Sequence, residues 1–323
     1  GEIVGLDWFI GIAAVVLVFE AARRVMGWGL PIICAIFLLY GLFGQHLPGN
    51  LAHRGYGFDQ IVAQIGFGTE GIYGTPTYVS STYIFLFILF GAFLEQAGMI
   101  RLFNDFAMGT VGHTRGGPAK VSVISSGLMG TINGSGVANV VTTGQFTIPL
   151  MKRFGYSPAF AGGVEATASM GGQIMPPVMG AVAFIMAETI NVPYLSIVQA
   201  AIIPALLYFV TVFWMVHLEA GRKGLVGLPK DECPNPWTAV KERWYLLIPL
   251  IGLVALLFSG YTPLFSGTVG LALTVILIFG AAVMTGVKGN ALRGLFWVLL
   301  GLACAGFIEF GVITFFVITA VLL

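Results

Sequence analysis

The chain has 323 residues, of which 57% are hydrophobic and 9% are charged, with a formal net charge of +1 and a mean hydropathy of +0.93. A soluble domain carries about 25% charged residues, so this composition excludes a soluble globular protein and predicts an all-α polytopic membrane protein. The small net charge gives no indication of a nucleic-acid partner. The three cysteines Cys34, Cys233 and Cys304 are too scattered for a disulfide framework or a metal site.

The apolar runs predict the order of the membrane-spanning helices, since a span needs about 20 apolar residues. No basic segment with a cleavage site follows Gly1, so no signal peptide is predicted. The runs lie near 8–22, 28–47, 77–97, 195–217, 244–259, 263–285 and 295–323. The resulting segments are N-terminal spans over 1–47, a polar external segment over 48–76, a span with an amphipathic interfacial arm over 77–116, an interrupted region over 117–190, a span and cytoplasmic linker over 191–243, and the start of a second half over 244–323.

Two polar, glycine- and proline-rich patches interrupt the apolar stretch 117–190. They read TINGSGVANVVTTG and TASMGGQIMPPVMG. Backbone at membrane depth is left outside a helix only where it lines a cavity or is buried in protein, so two such breaks are typical of a transporter's central site. The expectation is that the two breaks face each other at one depth.

The basic residues predict how each interruption is built. If 120–151 enters and leaves on the same side, every Lys and Arg except Arg54 falls on the cytoplasmic face, as the positive-inside rule requires. This predicts a re-entrant helical hairpin over 120–151 with its tip at 133–139. The next segment, 157–190, then crosses as two half-helices with an unwound middle, because Pro176 and Pro177 remove backbone donors.

The order of the later runs gives a further expectation. With this orientation, the first three spans cross the membrane out-to-in, in-to-out and out-to-in. The runs at 244–259, 263–285 and 295–323 cross in the opposite directions. That order is typical of an inverted repeat. A second hairpin should follow, and the chain stops at Leu323 before it, so the sequence is expected to be part of a longer protein.

The residues at the two interruptions favour a small hard cation as ligand. Amide, hydroxyl and freed carbonyl oxygens suit Na⁺ better than a transition metal, for which clusters of His, Cys and carboxylate are missing. Glu165 is the one carboxylate well inside this region, and an intramembrane acid is expected to be functional. The alternative is that it pairs with Lys152 and Arg153 at the interface. Glu95 is expected to pair with Arg101.

No enzyme is predicted. The sequence has no GxSxG, HExxH or phosphate loop, and no pair of nucleophile and base at membrane depth. Two alternatives to a carrier stay open: an ion channel built on the same breaks, and a non-transporting membrane scaffold.

Two long motifs carry a family resemblance, GGPAKVSVISSGLMGTINGSGVANVVTTGQFTIPLMKRFGY and GGVEATASMGGQIMPPVMGAVAFIMAE. With EAARR, LPGNLAHRGY and FLFILFGAFLEQAGM, they resemble the large membrane subunit of tripartite ATP-independent periplasmic (TRAP) transporters. The details are similar to the fused 4TM/12TM type that works with TAXI-type solute-binding proteins. The resemblance covers roughly residues 1–225.

The resemblance implies an elevator-type importer of an organic acid, in a bacterial or archaeal cytoplasmic membrane. It also implies that 1–47 and the span in 77–116 are scaffold and that 117–190 is a transport domain. A TAXI-type solute-binding protein would deliver the substrate. The coupling ion, Na⁺ or H⁺, would sit between the hairpin tip and the unwound helix. By position, the resemblance assigns the ion to Asn133, Ser135, Asn139, Gly171, Ile174 and Pro176, and the candidate substrate contacts are Thr142, Thr143, Glu165, Gly172 and Gln173.

Overall fold

The computed structural model describes the backbone of residues 5–286 and the side chains of residues 5–281. In this part of the chain every regular element is a helix, which agrees with the predicted all-α class. The α-helices are α1 (Gly5–Met26), α2 (Gly29–Phe43), α3 (Phe58–Gly66), α4 (Thr75–Val79), α5 (Phe85–Gln96), α6 (Met99–Val111), α7 (Gly117–Asn133), α8 (Gly136–Arg153), α9 (Pro158–Gly171), α10 (Ala181–Thr189), α11 (Tyr194–Arg222), α12 (Pro236–Arg243), α13 (Leu247–Phe258) and α14 (Pro263–Gly286).

Among the described residues, five helical stretches are long and apolar enough to cross a membrane. They are Gly5–Met26, Gly29–His46, Thr75–Gln96, Tyr194–Arg222 and Pro263–Ala281. These confirm five of the predicted runs. Thr75–Gln96 is continuous because a π-helical turn over Ser80–Ile84 joins α4 to α5.

The run predicted at 244–259 forms a shorter helix than expected. A 3₁₀ turn, Trp244–Leu246, takes its first residues, and α13 that follows has only 12 residues. Gly260, with φ at +87°, ends the segment. Hydropathy reflects the apolar composition of this run, but it contains no information on the backbone turns that shorten the helix at both ends. The run predicted at 295–323 lies outside the described residues.

The described chain forms two compact units. The first contains the residues up to Phe85 and the segment Ala181–Ile197. In it, α1 packs against α3 of the predicted external segment, where Gly11 and Gly66 let the two backbones approach. Trp8 stacks on Phe58, with ring centroids 5.5 Å apart.

The second unit contains Leu86–Gly180 and the chain from Val198 onward. Its centre is α7, which packs against α6, α8 and α9. The predicted amphipathic arm is α6, whose apolar face, including Leu102 and Phe103, is buried. The Ser125 hydroxyl on α7 donates to the Asn104 side chain on α6. On its other side α6 packs against α12, where Arg243 pairs with Asp105 at 3.0 Å.

The predicted hairpin is present as α7 and α8. Pro118 at the start of α7 needs no helical hydrogen-bond partner, and Gly134 ends that helix with φ at +57°. Ser135 then caps α8, its Oγ accepting a hydrogen bond from the Ala138 amide at 3.3 Å. Two residues thus reverse the chain and place the arms side by side.

The predicted break in the next helix is also present. Helix α9 ends at Gly171 and is followed by a 3₁₀ turn, Gly172–Ile174. Met175 is extended, the peptide bond between Pro176 and Pro177 is cis, and Ala181 begins α10. The unwound segment 172–180 therefore coincides with the sequence GQIMPPVMG.

Candidate functional site

The hairpin tip and the unwound segment are in direct contact. A Cβ atom added to Gly130 would lie 2.3 Å from the Gly172 Cα, so these backbones meet with no side chain between them. A Cβ on Gly134 would lie 1.8 Å from the Met179 carbonyl oxygen. The expected juxtaposition of the two interruptions is thus what the structure shows.

Two of the predicted cation ligands hold the hairpin turn. The Asn133 Oδ1 accepts from the Ser135 amide at 3.3 Å, and its Nδ2 donates to the Glu95 Oε1 at 3.0 Å. The prediction that Glu95 pairs with Arg101 is wrong, because this carboxylate reaches the hairpin tip instead.

Asn139 joins the two hairpin arms and lies close to the unwound segment. Its side chain is fully buried, and its Nδ2 donates to the Ser126 carbonyl of α7 at 2.8 Å. The same nitrogen would lie 3.2 Å from a Cβ placed on Gly172. A substitution at Asn139 would therefore alter the contact between the hairpin and the unwound segment.

The remaining predicted ligands lie on the unwound segment. Gly171 is buried under Tyr208 of α11, where a Cβ would approach the ring to 2.4 Å. Ile174 is exposed and Pro176 is partly buried. Their part in binding a cation stays a prediction, as does that of Asn133, Ser135 and Asn139.

Glu165 lies in a cage of hydroxyl groups. Its side chain is fully buried. Its Oε2 accepts from Ser122 at 2.6 Å and from Thr147, and its Oε1 accepts from Ser126 at 3.0 Å, from Ser169 at 2.8 Å and from Thr143. We call these five residues, supplied by α7, α8 and α9, the hydroxyl cage.

The cage replaces the interfacial ion pair that the sequence left open as an alternative. Among the described ion pairs, none includes Glu165 or Lys152, and Arg153 faces Glu232 at 3.6 Å. Pairing of Glu165 with Lys152 and Arg153 is therefore wrong. Proximity in sequence did not predict the partners of Glu165, because helix packing turns its side chain toward the hairpin.

The other predicted substrate contacts have mixed surroundings. Thr142 donates only to carbonyls of its own helix, while Thr143 is buried and reaches Glu165. Gly172 is buried at the backbone contact, and Gln173 is partly exposed beside Met170. Direct contact of any of these with a substrate stays a prediction.

Sequence reasoning missed most of the hydroxyl cage, although a signal was present. Three helices each carry two polar residues four positions apart, which places both on one helix face. These are Ser122 and Ser126 on α7, Thr143 and Thr147 on α8, and Glu165 and Ser169 on α9. Matching these pairs predicts that the three faces meet.

An apolar groove lies between α9 and α11, outside the hydroxyl cage. It has a volume of about 1060 Å³ and is lined by residues such as Phe160, Leu207 and Val212. The Tyr208 hydroxyl closes part of it by donating to the Thr167 carbonyl at 2.7 Å. Its mostly apolar lining suits hydrocarbon rather than an organic acid, and Ile174 is the one predicted site residue among its lining residues.

Adjacent threonines on α8 allow a direct test of the cage. Thr143→Val should lower the free energy of unfolding by about 1–2 kcal/mol, because a buried carboxylate loses a hydroxyl donor. Thr142→Val should change it by less than about 0.5 kcal/mol, since this hydroxyl bonds only within its helix. Thermal unfolding of the detergent-solubilised protein measures both. Equal effects would show that the contact to Glu165 adds no stability.

Residues 13–323 match the family model described as "Tripartite ATP-independent periplasmic transporter, DctM component". The C4-dicarboxylate TRAP transporter large permease protein DctM of Pseudomonas aeruginosa is 33% identical over 179 residues, which are 55% of this chain and 41% of that protein.

Other relatives have different names and similar coverage. The sialic acid TRAP transporter large permease protein SiaM of Vibrio cholerae is 28% identical over 178 residues, covering 55% of this chain and 41% of that protein. The sialic acid TRAP transporter permease protein SiaT of Haemophilus influenzae is 27% identical over 193 residues, covering 59% and 31%. The chain thus spans less than half the length of these curated relatives.

Proposed function

Because the chain belongs to the family of the DctM component of tripartite ATP-independent periplasmic transporters, we propose that it is part of the large permease of an ion-coupled importer of an organic acid. The coupling ion is Na⁺ or H⁺. The observation that carries the proposal is the contact between the hairpin tip and the unwound segment 172–180. A cation held there would favour one arrangement of these segments over another.

The helix ends around this contact favour bound charges of both signs. The carboxyl ends of α7 and α9 lie at Asn133 and Gly171, where partial negative charge favours a cation. The amino end of α8 at Gly136 carries partial positive charge, which favours a carboxylate group of a substrate. An ion and an organic acid can therefore be recognised near one turn of the chain.

An acidic substrate also agrees with the names of two relatives, which refer to C4-dicarboxylates and to sialic acid. For this chain we propose only the wider class, an organic acid. We further propose an extracytoplasmic solute-binding protein of the TAXI type and a small permease as partners, in a bacterial cytoplasmic membrane. In an elevator mechanism α7, α8 and α9 would move together, since the hydroxyl cage joins all three.

The proposal is tested by uptake into proteoliposomes. The full-length permease, with its small permease and solute-binding protein, should accumulate a radiolabelled organic acid only when a Na⁺ or H⁺ gradient is imposed. Omitting the binding protein should reduce uptake to background. Uptake that ignores both gradients would overturn ion coupling, and currents without substrate or binding protein would favour a channel.

A further inference from the structure

We propose that Glu95 is a positioning residue for the cation at the hairpin tip: its carboxylate orients the side-chain amide of Asn133 and supplies a negative charge that the neutral side chains of the tip lack. The inference deepens the proposed function and rests on it, since that function places a cation at this turn. It starts from a contact between residues far apart in sequence. The Glu95 Oε1 on α5 accepts a hydrogen bond of 3.0 Å from the Asn133 Nδ2.

The last turns of α5 are packed directly on the hairpin tip. Gly91 is buried, and a Cβ added to it would lie 3.1 Å from the Cα of Asn133 and 3.3 Å from the carbonyl oxygen of Ile132. Glu95 follows Gly91 by four positions, so both residues lie on the same face of α5. Because Gly91 has no side chain, the backbone of α5 comes close enough for Glu95 to reach Asn133.

Two neighbours fix the direction in which the Asn133 amide points. An ionised carboxylate only accepts hydrogen bonds, so the Nδ2 faces Glu95. A backbone N–H only donates, so the Oδ1 faces the amide of Ser135 at 3.3 Å. The Asn133 side chain is buried, which leaves it little freedom to turn. The amide oxygen, the atom of this side chain that can bind a cation, is thereby held at the turn between α7 and α8.

Glu95 also sets the electrostatics of the tip. The predicted ligands there, Asn133 and Ser135, are neutral, and moving a cation from water into a largely buried place is costly unless an opposite charge compensates it. Among the ion pairs of the described residues none includes Glu95, so neither a lysine nor an arginine takes up its charge.

The hydrogen bond passes this charge on to the ligand. A carboxylate that accepts from the nitrogen of an amide polarises that amide and makes its oxygen more negative, as outer partners of metal ligands do. Amide and carboxylate oxygens are also the donors that a hard cation such as Na⁺ prefers. Glu95 therefore acts on the cation through Asn133.

Binding of radioactive Na⁺ to the full-length permease in detergent tests the inference. Glu95→Gln keeps an oxygen that can accept from Asn133 but removes the charge. The dissociation constant for Na⁺ should therefore rise at least about tenfold, while the unfolding temperature without Na⁺ stays at the wild-type value. Unchanged Na⁺ binding in Glu95→Gln would overturn the inference.

Glu188→Gln is the matched control for this charge removal. The Glu188 Oε1 also accepts a hydrogen bond from a neutral donor, the Tyr83 hydroxyl at 3.0 Å, but it belongs to the first compact unit. This variant should bind Na⁺ as the wild type does. Equal weakening in both glutamine variants would show a general effect of lost charge and would overturn the role of Glu95.

A double variant moves the carboxylate from α5 to the hairpin tip. When Glu95→Gln is combined with Asn133→Asp, the new glutamine amide can donate to the new carboxylate, so the hydrogen bond is kept in the reverse direction and the charge is restored. The double variant should recover most of the Na⁺ affinity that Glu95→Gln loses. A double variant as weak as the single one would contradict the inference, because the bond and the charge are then both present.

The outcomes separate this inference from the proposed function. If Glu95→Gln weakens Na⁺ binding as expected but no gradient drives uptake of an organic acid, the role of Glu95 stands and the transport proposal fails. If a gradient drives uptake but Na⁺ binds equally to the wild type and Glu95→Gln, or to neither, ion-coupled transport stands and the role of Glu95 is refuted.

Discussion

Replacing Gly134 with alanine should unfold the hairpin tip and abolish gradient-driven uptake. The residue has φ at +57°, and its added Cβ would lie 1.8 Å from the Met179 carbonyl oxygen, which belongs to backbone and cannot rotate away. A left-handed conformation costs an alanine about 1 kcal/mol, and displacing packed backbone adds more, for a total of about 4 kcal/mol. Thermal unfolding of the full-length permease in detergent measures the loss.

Gly224 supplies the matched control for this change. It also follows the end of a helix, α11, with φ at +66°, but nothing lies within 4 Å of an added Cβ. Gly224→Ala should therefore lower the free energy of unfolding only by the cost of the left-handed backbone conformation, about 1 kcal/mol. If the two variants lose the same stability, the contact between the hairpin tip and the unwound segment adds nothing, and the candidate site loses its structural basis.

The membrane helices and both interruptions could be predicted from sequence because each depends on local chemistry. Apolar runs of sufficient length form helices wherever they occur. Gly134 and Ser135 terminate one helix and cap the next, and Pro176 and Pro177 cannot continue a third. Such signals act within a few residues of the backbone they shape, so a single sequence contains them in full.

The partners of individual side chains could not be predicted in the same way. Sequence proximity indicates Lys152 and Arg153 as partners of Glu165, whereas its actual partners come from α7, α8 and its own helix. Likewise Glu95 reaches the hairpin tip instead of Arg101. Both errors have one origin: helix packing, not sequence separation, decides which faces meet.

The two polar features of the second unit differ in kind. Around Gly134, the turn and the helix ends leave oxygens outside regular helical hydrogen bonding, in a part of the chain that is largely buried. In the hydroxyl cage, three helices surround one carboxyl group from which solvent is excluded. Asn139 joins the two features because it bonds to Ser126 and packs on Gly172. A substitution at Asn139 should therefore separate binding of the ion from stability of the fold.

Asn139→Leu should keep the protein folded but weaken its response to the coupling cation. Leucine has the branching of asparagine but a larger volume, so overpacking of the buried site costs about 1–3 kcal/mol and the lost hydrogen bond to the Ser126 carbonyl about 1 kcal/mol. Without the amide, the contact with the unwound segment is no longer positioned, and the half-saturating cation concentration for uptake should rise at least about tenfold. Ser135→Leu is less discriminating, because it also removes the cap of α8.

Val137→Leu is the control, since this side chain lies on the same helix and is 71% exposed. It should retain the wild-type cation dependence and the wild-type unfolding temperature. Wild-type cation dependence in Asn139→Leu would refute the assignment of the hairpin tip to the ion site. A weakened response in both variants would instead trace the effect to α8 as a whole.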